Sequence, residues 1–293
     1  TNRLRAMIGG NLIVGSNAAR NVTGKGYTAK RGPGAGSNGI GGSYGGRGSV
    51  SYNIPFPCYG SITMPTNLGS GGESVSGGGA ILLSVGGEVR HDGMIAADGL
   101  LGTCAGSGGS IWLTCGAISG AGVIRADGGS NAAYSGGGGR LAMAVTNASA
   151  DFSFFTGAFS ARGWGAPPYS RPAGGAGTVY LRAANQGLNE GTLIVDNGNL
   201  AAIGYTEINS NVTGVTVSDV IVRNKAYLIL DTNQSLTISG IWSNGATLEA
   251  RLASQVIFAG GALSTSTSMV YGSSTFMDLI CTNAAGKTIL FEA

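Results

Sequence analysis

Two short motifs recur in register at about thirty residues, and no other feature restricts the fold as much. The first reads Gly78-Gly-Ala-Ile81-Leu-Leu, then Gly108-Gly-Ser-Ile111-Trp-Leu, then Gly138-Gly-Arg-Leu141-Ala-Met, and more loosely Ala176-Gly-Thr-Val179-Tyr-Leu. Its first apolar residues stand at 81, 111, 141 and 179, at intervals of 30, 30 and 38. The second lies between these copies. It reads Gly93-Met-Ile95-Ala-Ala-Asp-Gly99, Gly122-Val-Ile124-Arg-Ala-Asp-Gly128 and Gly157-Ala-Phe159-Ser-Ala-Arg-Gly163. Two motifs sharing one period predict a β-solenoid: short strands joined by tight Gly-rich corners, each repeat burying its apolar face only against its neighbours. Strand alternation then places Ile81, Leu83, Ile111, Leu113, Leu141 and Met143 in files along a narrow core. The glycines are expected to supply positive φ at the corners.

Composition removes the competing classes. Hydrophobic residues are 43% and charged residues 11%, whereas a disordered chain needs the reverse balance. Lys, Glu, Arg and Leu are too scarce for a coiled coil or helical bundle. Glycine is abundant, 55 of 293 residues, but does not occupy every third position as collagen requires. An all-β chain remains. The expected organisation is a Gly-rich solenoid over 1–190 and a continuing solenoid over 191–293. In the second part Gly thins and β-branched strands such as Val220-Ile-Val222 and Val256-Ile-Phe258 take over. Residues 24–79 are the richest in glycine. Tyr27, Tyr44, Tyr52, Phe56 and Tyr59 punctuate them, which predicts ordered loops packed on the solenoid rather than a linker.

The Gly-Gly-Ser-Ile-Trp-Leu-Thr segment, the Gly-x-Ile-x-Ala-Asp-Gly-Gly segment and Tyr59-Gly-Ser-Ile-Thr-Met-Pro-Thr-Asn-Leu-Gly-Ser-Gly-Gly72 together carry a resemblance. They look like the Gly-rich repeat surface proteins exported by environmental bacteria, related broadly to filamentous-haemagglutinin and autotransporter-passenger β-helices. The similarity spans about residues 24–185, with only texture in common over 190–293. It implies a right-handed parallel β-helix, located outside the cell or on its surface, with a structural or adhesive role and no catalytic motif.

The residues themselves carry little chemistry. The one histidine, His91, precedes Asp92, but neighbours in a strand point to opposite faces, so the pair reads as a surface turn before Gly93. No Gly-x-Ser-x-Gly elbow has a downstream His, which argues against Ser-His-Asp hydrolysis. Gly136-Gly-Gly-Gly-Arg140 lacks the Lys-Ser/Thr and helix of a phosphate loop. Asp98 and Asp127 occupy equivalent places in successive repeats. They read as turn residues, with a shared Ca²⁺ as the rival and Arg162 as an alternative counter-charge. No catalytic residue, cofactor or metal ligand is therefore assigned.

Cys58, Cys104, Cys115 and Cys281 form no CxxC pair and read as buried thiols, with Cys104–Cys115 the candidate disulfide. Trp164 and Tyr169 lie in the insert that lengthens one repeat, and they are the candidate glycan contacts. A parallel β-helix used as a polysaccharide-binding or polysaccharide-degrading protein is the alternative function. The final segment, Lys287 to Ala293, reads as an unfinished apolar strand of an excised piece of a larger exported protein. Its residues Thr288, Ile289, Leu290 and Phe291 are the candidate head-to-tail association strand. A net charge of +3 without a basic run gives no nucleic-acid signature, and no apolar stretch is long enough for a membrane span.

Overall fold

The computed structural model describes residues 2–50, 56–129, 134–164, 173–260, 267–282 and 287–292. Among these the chain is all-β, and its sheets are mostly parallel. The largest sheet has ten strands in chain order. They are Arg3–Ile8, Ala80–Val85, Ser110–Cys115, Arg140–Val145, Thr178–Arg182, Thr192–Asp196, Asp219–Arg223, Trp242–Asn244, Thr267–Gly272 and Thr288–Glu292. The first motif falls into register across it: Ile81 faces Ile111, Ile111 faces Leu141, and Leu141 faces Val179. The second motif aligns in a separate four-stranded sheet, Ile95 beside Ile124 and Ile124 beside Phe159. A third sheet stacks Leu12–Val14, Glu88–His91 and Ala117–Ser119. Three sheets cut by one period are what a chain produces when each repeat adds one strand to each sheet.

The ten-stranded sheet holds one reversal. Thr178–Arg182 and Thr192–Asp196 pair antiparallel, with Val179 opposite Ile194 and Tyr180 opposite Leu193, while every other neighbouring pair is parallel. The reversal moves the core to the other side of the sheet. Ile81, Leu83, Ile111, Leu141 and Val179 belong to a first core. Tyr180, Leu193, Val195, Val220, Val222 and Trp242 belong to a second, with Trp112 packed against it. Opposed residues of an antiparallel pair share a face, so Tyr180 and Leu193 both enter the second core while Ile194 packs on the first. The strand Arg140–Val145 has a core on each face, and all six of its residues are buried. Nothing in the 182–192 sequence announces this turn, because both flanking strands alternate in the same way.

The Gly-rich segments fill the space beside the sheets. Their backbones hydrogen-bond sideways: Tyr27 N–H to Gly69 O at 3.0 Å, Gly69 N–H to Gly78 O at 2.8 Å, Ser107 N–H to Ser70 O at 3.0 Å, and Gly36 N–H to Gly71 O at 2.8 Å. A sheet strand has neighbours on two edges only; the 69–72 segment has them on more sides, which makes this a bundle. Gly120, at the corner between Ala117–Ser119 and Val123–Arg125, has the expected positive φ, but the bundle corrects the role of the motif glycines. Gly78, Gly108 and Gly138 are not at positive φ. A Cβ on them would instead run into the carbonyl oxygens of Ala97, Ala126 and Ala161, three equivalent atoms in successive repeats. Close backbone approach, not left-handed geometry, selects glycine there. The described residues of the 24–79 loops pack beside the sheets. Tyr44 and Tyr59 are buried with rings 4.7 Å apart, whereas Phe56 is exposed and Tyr52 lies outside the described residues.

Candidate functional site

The four-stranded sheet ends at Ala158–Ser160, while the ten-stranded sheet continues past it through the reversal. Among the described residues, the first core is thus left with an end that no further strand of that sheet covers. Three phenylalanines close part of it: Phe152 and Phe155 pack on Phe159 at 6.0 and 4.8 Å. Beside them a half-open cleft of about 530 Å³ remains, floored by Phe159, Val179 and Ile194.

Arg125, Asp127, Arg162, Asp196 and Arg223 line its walls, and each arginine lies beside a carboxylate. Arg125 Nε lies 2.8 Å from Asp98, Arg162 Nε 3.3 Å from Asp127, and Arg223 Nε 2.7 Å from Asp196. In each pair the Arg lies 27 or 35 residues after its Asp, Arg125 and Arg223 in strands and Arg162 just beyond one. The carboxylates are held by further donors. Asp98 accepts the Asp127 N–H at 2.9 Å. Asp127 accepts the Ser160 hydroxyl and the Arg162 N–H. Asp196 accepts the Gly198 N–H at 2.8 Å and the Asn224 side-chain amide at 2.9 and 3.0 Å. Burial, reinforced by the nearby Asp127 charge, pushes Asp98 up to about 6 despite its arginine. Burial raises Asp127 as well.

The sequence-predicted residues distribute unevenly around this cleft. Asp127 and Arg162 meet there as carboxylate and counter-charge; Asp98 and Asp127 are joined through a backbone N–H, and no group of three or more His, Cys, Asp or Glu residues gathers around a metal-sized space among the described residues. Trp164 lies with the Arg162 guanidinium 4.4 Å from its ring centroid, which brings the candidate glycan contact to the cleft's charged wall. Tyr169 lies outside the described residues. Arg125, Asp196, Arg223 and Asn224 were not singled out from sequence. The signal was present: Asp98 to Arg125 and Asp196 to Arg223 both span 27 residues.

The other candidates sit elsewhere. His91 is not a surface turn: the Glu88–His91 strand turns Val89 and His91 inward, and the imidazole is fully buried. Its Nε2 lies 3.1 Å from the Val123 carbonyl oxygen, its ring faces Phe155 at 6.1 Å, and burial lowers its pKa. Arg140, after the glycine run, is also fully buried. It donates to the Tyr59 carbonyl at 2.9 Å and the Thr178 hydroxyl at 3.0 Å, and tethers the loop bundle to the sheet.

Cys104 and Cys115 are not joined. All four cysteines are free thiols, three of them buried and Cys281 exposed. The Cys104 thiol donates to Glu73 at 3.3 Å. Burial pushes the thiols of Cys58 and Cys104 up to about 11 and that of Cys115 up to about 12, so they stay protonated. Trp242 is buried in the second core. Thr288, Ile289, Leu290 and Phe291 form most of the outermost strand of the ten-stranded sheet, paired on one side with Thr267–Gly272, and Leu290 and Phe291 are exposed. No helix among the described residues is long and apolar enough to cross a membrane.

No protein-family model, curated protein or solved structure matches this chain.

Proposed function

We propose that the chain is a right-handed parallel β-helix, a β-solenoid, that serves as a structural or adhesive rod outside a bacterial cell and carries out no catalysis. The reading rests on the resemblance stated for its repeats and on one observation above all: two independent motifs stay in register through successive strands, Ile81 to Val179 in one sheet and Ile95 to Phe159 in another. Stacked repeats give a stiff body whose length grows by one strand spacing, about 4.8 Å, per repeat.

Self-association is part of this proposal. The two outer strands of the large sheet are Arg3–Ile8 and Thr288–Glu292. The first carries Arg3, Arg5 and an exposed Met7; the second carries Glu292 and exposed Leu290 and Phe291. Pairing them head to tail joins opposite charges and covers apolar side chains, and a heterologous contact that does not close grows as a fibre. Negative-stain electron microscopy and sedimentation of the purified chain test it. Filaments that shorten or vanish in Leu290→Lys/Phe291→Lys are expected. Monomeric rods at every concentration would overturn the fibre reading.

A carbohydrate-binding β-helix is the second reading. One observation favours it: an indole, Trp164, packed on the Arg162 guanidinium at a polar cleft with an apolar floor.

A further inference from the structure

Taking the carbohydrate-binding reading as its premise, we propose that the cleft at the sheet reversal binds a carboxylated saccharide, with Arg125, Arg162 and Arg223 as its anion-contacting groups. The argument is one of hydrogen-bond capacity. An ionised carboxylate accepts and never donates, and its lone pairs are limited. Asp196 already accepts from Gly198 N–H, Arg223 Nε and the Asn224 amide. Asp127 already accepts from Ser160 and from the Arg162 backbone, with the Arg162 guanidinium alongside. Among the cleft's carboxylate oxygens, Asp127 Oδ1 and both oxygens of Asp196 are thus occupied inside the protein.

Its donors are not. Each guanidinium has five N–H groups, and among the described residues these three arginines address their carboxylates through Nε. Their side chains are 39%, 34% and 53% exposed. Asp196 braces the Arg223 fork through its Nε hydrogen bond, Asp98 and Asp127 lie alongside the Arg125 and Arg162 guanidinium groups, and the Nη edges are left to meet a ligand. Such a surface is matched by a ligand rich in acceptors and negatively charged.

Two features select a sugar chain over a single small anion. The arginines belong to separate strands or strand ends, so they offer several anion positions along the cleft instead of one. The floor of Phe159, Val179 and Ile194 is apolar, suited to the C–H faces of pyranose rings, and about 530 Å³ lies within the range of small-molecule sites.

The test is titration calorimetry of the full chain with trigalacturonate, maltotriose and inorganic phosphate, repeated on Arg223→Gln and Arg162→Gln. Trigalacturonate is expected to bind, to weaken with added salt, and to lose roughly tenfold in affinity per lost charged contact, while the two other probes do not bind. Equal binding of maltotriose would overturn the carboxylate claim while leaving the carbohydrate reading intact. Binding of neither sugar would overturn both. Phosphate competing as well as trigalacturonate would reduce the site to a simple anion contact and overturn the proposal. Trigalacturonate binding unchanged in both variants would overturn the placement. Arg223 is more than half exposed, so its variant keeps the fold; chemical-shift changes at the three arginine Nε–H groups of the wild type localise binding without any substitution.

Discussion

The backbone N–H of Asp127 donates to the side-chain carboxylate of Asp98 at 2.9 Å, so two equivalent residues of successive repeats are chained together. The same Asp127 carboxylate then takes the N–H of Arg162 in the following repeat. Each acidic side chain thereby fastens the start of the next turn of chain. The cost is burial of two carboxyl groups near one another, and Asp98 carries it as a pKa raised to about 6.

That shift sets a pH dependence with a definite sign. Asp98 holds its proton more tightly in the folded state than in the unfolded chain, so folding takes up protons between pH 4 and pH 6. Its contribution is most favourable below the ordinary aspartate value and is lost as pH rises through about 6. The full swing is on the order of 3 kcal/mol. Urea denaturation from pH 4 to pH 7 should show this falling component in the wild type and show it reduced in Asp98→Asn, where the raised Asp127 still contributes with the same sign. Identical pH profiles for the two proteins would refute the assignment.

His91 acts in the opposite direction. Burial against Phe155 lowers its folded pKa, so the neutral ring favours folding above the ordinary histidine range and that contribution disappears as pH falls. His91→Gln removes the titration and keeps a polar contact toward Val123. The variant should flatten the loss of stability on acidification, measured as the shift of Tm between pH 7 and pH 5. Comparison with Asp98→Asn separates the two opposing slopes.

Glycine at 138 is required by space. A methyl group there would collide with the Ala161 carbonyl and crowd the Gly177 backbone, neither of which can swing aside. Gly138→Ala should cost at least about 4 kcal/mol or abolish folding. At Gly9 a Cβ meets nothing within 4 Å, and Gly9→Ala should stay within about 0.5 kcal/mol of the wild type. Chemical denaturation of the pair checks the contrast, and similar losses at both sites would argue against the bundle.

Arg47 and Glu207 form a buried two-point ion pair, with Nη2 at 2.6 and 2.7 Å from the two carboxylate oxygens, and tie the Gly-rich loops to the second core's strands. Glu207→Gln leaves a buried guanidinium without its counter-charge and should cost about 3–5 kcal/mol. The double variant Arg47→Met/Glu207→Leu should recover much of this, since apolar replacement of a whole buried pair is often tolerated. A double variant as unstable as the single one would contradict this account.

The stacking of repeats was legible because it is written in identical spacing: Ile81, Ile111 and Leu141 must share a face once their strands are adjacent. The reversal was not legible. Leu193 and Val195 alternate as Val179 and Leu181 do, and alternation says which residues share a face but not which side of the sheet that face is on. The role of the glycines is only partly legible: Gly120 takes positive φ at a corner as expected, but Gly138 gives the same signal and is chosen for the oxygen beside it. His91 was hidden by its polar neighbours Arg90 and Asp92, whose charges suggest solvent although both point away from the buried ring. In the cleft, the Asp127–Arg162 contact followed from repeat equivalence. Arg223 and Asp196 stand beyond the reversal, where the period no longer guides the eye.

The shared sheet with one reversal positions both cores and the cleft, so it is tested first. A NOESY spectrum of the deuterated, selectively protonated chain reads it directly, because close Hα–Hα contacts across strands mark antiparallel pairing and are absent from parallel ladders. Within the ten-stranded sheet the predicted result is Hα–Hα cross-peaks confined to the Val179–Ile194, Tyr180–Leu193 and Leu181–Thr192 region. Absence of these peaks, or their presence between the strands that carry Ile81, Ile111 and Leu141, would contradict the account.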